Sequence, residues 1–217
     1  MAGVKSEGFK KLAPIVTVGF DITLLIVAGA LIHFRGIDNI DNIKVLNIGM
    51  DIVGMMVGIL ILLCCYIDIR RGVSDYRHFR YMVQTFFIGI FTDVAAWTLD
   101  GDPKYRIFSL LVNTIFYLAT PLAIVFFWLY CKRLMGIKHP VIMEYDLFII
   151  LGCMIEMALC ILNMPGGFFF SIDENGTYVR GYLYPFFMGY IILAEVAVFI
   201  LIFVWRKKLT GTRSLCF

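Results

Sequence analysis

Five carboxylates, Asp21, Asp51, Asp93, Glu156 and Glu195, interrupt long apolar runs that contain no Lys or Arg beside them. Acids without basic partners in such surroundings suit a cation, an amine or a proton better than an anion. Helical spacing places Asp51 on one face with Gly54 and Gly58, Asp93 with Thr85, Gly89 and Ala96, and Glu156 with Gly152, Cys160 and Asn163. Faces carrying small residues meet other helices rather than lipid, so the acids are expected to point into a bundle. In the fourth apolar run Asn113, Tyr117 and Thr120 share a face, and Pro121 is expected to bend the helix there. Asp51, Asp93, Asn113 and Glu156 fall in the same half of their runs, Glu195 near the middle, and Asp21 toward the other end. The sharp expectation is an outward-opening, ligand-binding polar cavity built from Asp51, Asp93, Asn113, Tyr117, Glu156 and Glu195. The bland alternative is that protonated carboxyls hydrogen-bond between helices for about 0.6 kcal/mol apiece.

The elements that must carry these residues follow from composition. Of 217 residues 61% are hydrophobic and 16% charged, and the mean hydropathy is +0.87. A typical globular chain is about one quarter charged, so this is the composition of an integral membrane protein. A bilayer core about 30 Å thick needs about 20 helical residues. Six stretches meet that length, at 14–34, 45–67, 81–99, 107–130, 141–162 and 183–205. They are long and continuously apolar, unlike the short alternating segments of a membrane β-barrel. One acid costs about 3 kcal/mol near a helix centre, while a dozen apolar residues return about 0.5 kcal/mol each, so every run can still insert. The expected fold is an all-α integral membrane protein: a single polytopic domain over 1–217, built as a six-helix bundle with short loops and one small extracellular β-hairpin.

Charge gives the orientation. Fourteen of the 19 Lys and Arg fall on one set of helix ends, from Lys5, Lys10 and Lys11 through Arg70 to Arg80 and Lys132 to Lys138 to the cluster after Arg206. The other set holds Arg35, Lys44, Lys104, Arg106 and Arg180. The rich side is expected in the cytoplasm of a plasma-membrane protein, with both termini inside. No cleavable leader is evident, since the first run lacks a small-residue cleavage site. The six Cys fall in spans or at cytoplasmic ends, where soft packing is a better account than disulfides or metal ligation.

Among the loops, LDGDPKYR is explained by helix chemistry, with Asp102 as the cap of the fourth helix and Pro103 in its first turn. The segment NMPGGFFFSIDENGTYVRGYLYP reads as two short strands around a tight turn at Asp173 to Gly176, with Asp173, Tyr178 and Arg180 as its marked polar residues. Its aromatic residues suit either an anchor at the headgroup level or a lid over an outward cavity, and the sequence favours the anchor. Asn175-Gly176-Thr177 matches a glycosylation acceptor, a short pattern that carries little alone.

Several chemistries are missing. His33, His78 and His139 stand at helix ends, and no zinc-protease, phosphate-loop or paired-Cys motif occurs. Nothing pairs a nucleophile with a base, so no enzyme activity, cofactor or metal is expected, and no nucleic-acid fold is present. The expected partners are the lipid bilayer, an unknown extracellular or intramembrane ligand and, as an option, a second copy in a homodimer.

Three runs, DVAAWTLDGDP (93–103), NTIFYLATPLAIVFFWLYCKRL (113–134) and FFFSIDENGTYVRGYLYP (168–185), together resemble the multi-pass N-terminal membrane region of bacterial signalling proteins. In that family such a region typically precedes a GGDEF diguanylate cyclase domain or, less often, a histidine kinase. The resemblance covers residue 45 onward, with the first span as an addition. By position it takes in Asp93, Trp97, Asp100, Gly101, Asn113, Tyr117, Pro121, Asp173, Tyr178, Arg180 and Gly181, and it attaches no catalytic role to any of them. It implies a sensory input module that passes a conformational signal to a cytoplasmic output domain. No such domain follows here, and LTGTRSLCF at the C-terminus looks like another span cut short, so the chain is read as a fragment, a truncated product or a stand-alone relic. The competing reading is a small transporter or channel using the carboxylates as a proton or cation path, which would show broken helices, inverted repeats and a continuous polar route. A third is a structural partner subunit.

Overall fold

Residues 2–70, 77–137 and 140–211 are described by a computed structural model. Arg71, Lys138, His139, Arg213 and the apolar tail from Leu215, with Cys216, lie outside these residues. Six helices run in order: α1 (Ala2–Arg35), α2 (Asn42–Arg70), α3 (Arg77–Leu99), α4 (Arg106–Leu134), α5 (Pro140–Gly166) and α6 (Tyr184–Gly211). A two-stranded hairpin, β1 (Phe170–Ile172) and β2 (Tyr178–Arg180), joins α5 to α6. All six helices contain a stretch long and apolar enough to cross a membrane. The expected spans match them to within a few residues at most ends.

The central pair is α3 against α4. Helices α1 and α2 pack on α3, while α5 and α6 pack on α4 and touch each other only slightly. This gives two apolar cores. One joins Ala28, Ile48, Met55, Phe87 and Val94 of the first three helices. The other joins Trp128, Ile149, Phe187, Ala194 and Val198 of the last three with Phe169 and Phe170 beside the hairpin. Small residues allow the close approaches. Gly54 faces Ile90, and a Cβ at Gly58 would stand 3.1 Å from the Phe87 ring, so the Asp51 face of α2 does meet a helix. Outward, the bundle is coated by large apolar side chains such as Leu46, Leu60, Met154, Phe199 and Phe203. A surface of that kind is stable only against hydrocarbon.

Helix α4 runs through Pro121 without interruption. Beside it the Thr120 hydroxyl donates to the Phe116 carbonyl at 2.9 Å. Thr85, Thr92, Thr98 and Thr114 likewise donate to carbonyls of their own helices. Inside a membrane this is the cheapest way to satisfy a hydroxyl, and it leaves these threonines committed to their own backbone.

The hairpin is antiparallel, with Phe170 opposite Arg180 and Ile172 opposite Tyr178. Its turn uses Asp173 three times: its N donates to Thr177 O at 3.0 Å and its carbonyl accepts from Gly176 N at 3.1 Å, and the carboxylate accepts from Thr177 N at 2.7 Å. Gly176 takes φ +78°, the left-handed conformation that closes such a turn.

Candidate functional site

The richest convergence of polar groups lies at the end of the bundle that carries the hairpin, and three loops meet there. Lys44 at the start of α2 pairs with Asp100 at 2.6 Å. The other oxygen of Asp100 accepts from the backbone N of Tyr178 at 2.7 Å. Arg35 at the end of α1 pairs with Asp102 at 2.7 Å, while Asp102 also caps the following turn by accepting from Lys104 N. Gly101 N donates to Gly176 O at 3.0 Å. Arg106 at the start of α4 donates to the Ile172 carbonyl at 3.2 Å. Expected to cap the fourth helix, Asp102 caps instead the 3-10 turn at Pro103–Tyr105 that precedes it; α4 starts after Tyr105 with no side-chain cap, and the same short loop is also the seat of the hairpin.

This network engages three of the five cations that depart from the charge bias. Arg35, Lys44 and Arg106 bind the loops and the strand as described. Arg180 hydrogen-bonds Tyr178 and lies 4.8 Å from the Tyr184 ring, and Lys104 stands over its neighbour Tyr105. The signal available beforehand was the presence of two acids, Asp100 and Asp102, on the same set of helix ends as Arg35 and Lys44.

The aromatic residues behave otherwise than expected of a headgroup anchor. Phe169 and Phe170 are wholly buried and stack against Tyr117 of α4, with centroids 5.9 and 5.0 Å away. Asn163, near the end of α5 and 1% exposed, holds this segment. Its carbonyl accepts from Phe169 N at 2.6 Å and more weakly from Phe170 N, and its amide donates to Phe170 O at 3.0 Å. The segment is a plug in the bundle end, because burying two phenylalanines outweighs leaving them at an interface. Tyr182, by contrast, is 73% exposed. Tyr117 and Tyr178 join their hydroxyls at 2.6 Å. Burial lifts the Tyr178 phenol above its ordinary value, opposed in part by its bonds to Tyr117 and Arg180.

That hydroxyl pair yields a prediction. Tyr178→Phe leaves the Tyr117 hydroxyl buried and unpaired and should cost about 1–2 kcal/mol, whereas the double change to Phe at 117 and 178 should recover most of it. Thermal unfolding of the single and double variants in detergent would read this; equal losses that simply add would refute the pairing.

The span carboxylates do not form one cavity. Asp51 and Asp93 hydrogen-bond each other across α2 and α3, and Trp97 hydrogen-bonds Asp93. Asp51 Oδ2 remains without a partner. Asp21, fully buried, accepts from Gln84 of α3 at 2.6 Å, and its second oxygen and Gln84 Oε1 are both unpartnered. Gln84 was legible as a polar residue within the third span but was not singled out. Glu156 is 3% exposed, with Oε2 unpartnered, in the other half of the molecule. Its electrostatic neighbours are Cys153 and Cys160 on its own helix and Tyr190 of α6. Asn113 turns back on its own helix, donating to Ser109 O at 2.8 Å. Glu195 is exposed, so the expectation that every span acid faces the bundle is corrected at this residue. The expected joint cavity of Asp51, Asp93, Asn113, Tyr117, Glu156 and Glu195 is thus divided among separate places, with Asp51 and Asp93 hydrogen-bonded to each other.

Two hollows remain. A cleft of about 440 Å³ lies beside β1, lined by Arg106, Leu110, Asn163, Met164, Phe170 and Ile172 among others. A larger, mostly apolar groove of about 770 Å³ separates α5 from α6 toward the opposite end, with Trp128, Phe148, Val196 and Trp205 on its walls. Near it Asp146 of α5 accepts from the Trp128 indole at 2.6 Å and pairs with Lys132. No group of His, Cys, Asp and Glu suited to a metal occurs among the described residues. No protein family, curated protein or solved structure gives a significant match to this chain.

Proposed function

We propose that this chain is a membrane-embedded sensory or regulatory module, in which a ligand arriving at the hairpin end alters the packing of the six helices and α6 passes the change onward. The observation that carries this reading is the connectivity of the hairpin. It is bonded through Asp100 and Lys44 to α2 and α3, through Tyr117 and Arg106 to α4, through Asn163 to α5, and it leads directly into α6. Its turn also meets the loop whose Asp102 holds Arg35 of α1. A displacement of this one element is therefore felt by all six helices, as a two-state bundle requires.

In this reading the hairpin end faces outward and the basic ends lie in the cytoplasm. The Asp51 and Asp93 pair beside Trp97 is the candidate ligand contact, with the chemistry of a cation or an amine. The resemblance to signalling proteins adds the expectation of a diguanylate cyclase or kinase as the output partner. The transporter reading draws less support: α4 is unbroken at Pro121, and the span acids are divided between the two halves of the bundle.

Hydrogen exchange of the full chain in lipid nanodiscs tests the proposal, with a panel of alkali, divalent and organic-amine cations as probes. At least one probe should slow exchange in the hairpin by about tenfold, and Asp51→Asn with Asp93→Asn should abolish that response. A parallel liposome assay should show no proton or cation flux. Flux that depends on Asp51 and Asp93 would overturn the sensory reading in favour of transport.

A further inference from the structure

Of Asp21, Asp51, Asp93, Glu156 and Glu195, Glu195 is the one that its own fold leaves uncovered. The buried face of α6 is formed by Phe187, Ile191, Ala194, Val198 and Leu201. Glu195 points away from it, between Ile192 and Phe199, which are 53% and 65% exposed. It makes no hydrogen bond or ion pair among the described residues. It also stands at the centre of the apolar stretch Tyr184–Arg206, with about 16 Å of helix on either side. A long Lys or Arg near a helix end can reach water from within a membrane, but a short carboxyl at mid-depth cannot. Facing acyl chains it would cost about 3 kcal/mol, a cost that neither packing nor capping in this chain offsets.

A helix that covers this face must therefore bring a hydrogen-bonding group to the same depth within an otherwise apolar surface. Helix α6 itself answers that description: within a turn of Glu195 its exposed neighbours Ile192, Val196 and Phe199 are all apolar. A carboxyl group, being donor and acceptor at once, complements its own copy across a twofold axis.

We infer that two copies of this chain pair through α6, with the two Glu195 carboxyls hydrogen-bonded to each other in the middle of the membrane. The pairing deepens the sensory reading, since it puts the proposed output helix at the subunit interface, yet it rests on the bundle alone and stands or falls separately from any ligand response.

The test is association of the purified full chain in liposomes, read as energy transfer between donor- and acceptor-labelled copies while lipid is added. The wild type should dimerise, and Glu195→Gln should remain dimeric because an amide is also donor and acceptor. Glu195→Leu should weaken pairing about tenfold. The leucine variant is the discriminating one: it makes the face more apolar and does not disturb the buried core, so association driven by greasiness alone would be strengthened by it. Leucine pairing as tightly as wild type, or a wild type that stays monomeric at every lipid dilution, would overturn the inference. Circular dichroism and the thermal midpoint of the leucine variant, expected unchanged, confirm that any loss is of pairing and not of fold.

Discussion

Asn163→Ala should release the hairpin from the bundle and lower stability by roughly 3–5 kcal/mol. The side chain is 1% exposed and serves Phe169 N, Phe170 N and Phe170 O at once. Alanine leaves these backbone groups beneath two buried aromatic rings, and an unmade bond in such a place costs about 1–3 kcal/mol. The thermal midpoint in detergent should fall sharply. Amide exchange over Phe169 to Ile172 should rise well before that over α3 and α4. If the midpoint falls but exchange rises evenly through the bundle, Asn163 matters to helix packing and not to the plug.

The second large effect is expected at Gly176. Its φ of +78° already disfavours any side chain, by about 1–2 kcal/mol for alanine. In addition, a Cβ there would run into the backbone of Asp102, which cannot move without disturbing the Arg35 pair and the Asp102 cap. Gly101 provides the comparison, because its φ is +79° but nothing lies within 4 Å of its would-be Cβ. Gly101→Ala should therefore show the backbone cost alone. Gly176→Ala should show that cost plus the loss of the Gly101 to Gly176 bond and of the seat for Tyr178 N on Asp100, roughly 2–3 kcal/mol more. Matched unfolding curves for the two variants decide this. Equal losses would mean that the turn is free to lift from the loop, and the mechanical link assigned to the hairpin would fail with it.

Much of the fold was legible in the residues. Six spans could be counted because insertion depends on a sum over about 20 residues, and such a sum is insensitive to which side chain faces which way. The hairpin was legible because Asp-Glu-Asn-Gly is turn chemistry written into four adjacent residues, the short-range kind of signal that needs no partner.

What the sequence could not determine was facing and pairing. Helices α2, α5 and α6 are apolar nearly all round, so no stripe marks which side meets protein. Asp51 could be assigned to an interface from Gly54 and Gly58, whereas Glu195 has no small residues to mark its face and lies outside. The partnerships of Asp21 with Gln84, Asn163 with Phe170, Tyr117 with Tyr178 and Asp100 with Lys44 join residues from 7 to 63 positions apart. Only the packed bundle brings such groups together, because each contact depends on the rotation and depth of two helices at once, and a half-turn error in either sends the same side chain into lipid.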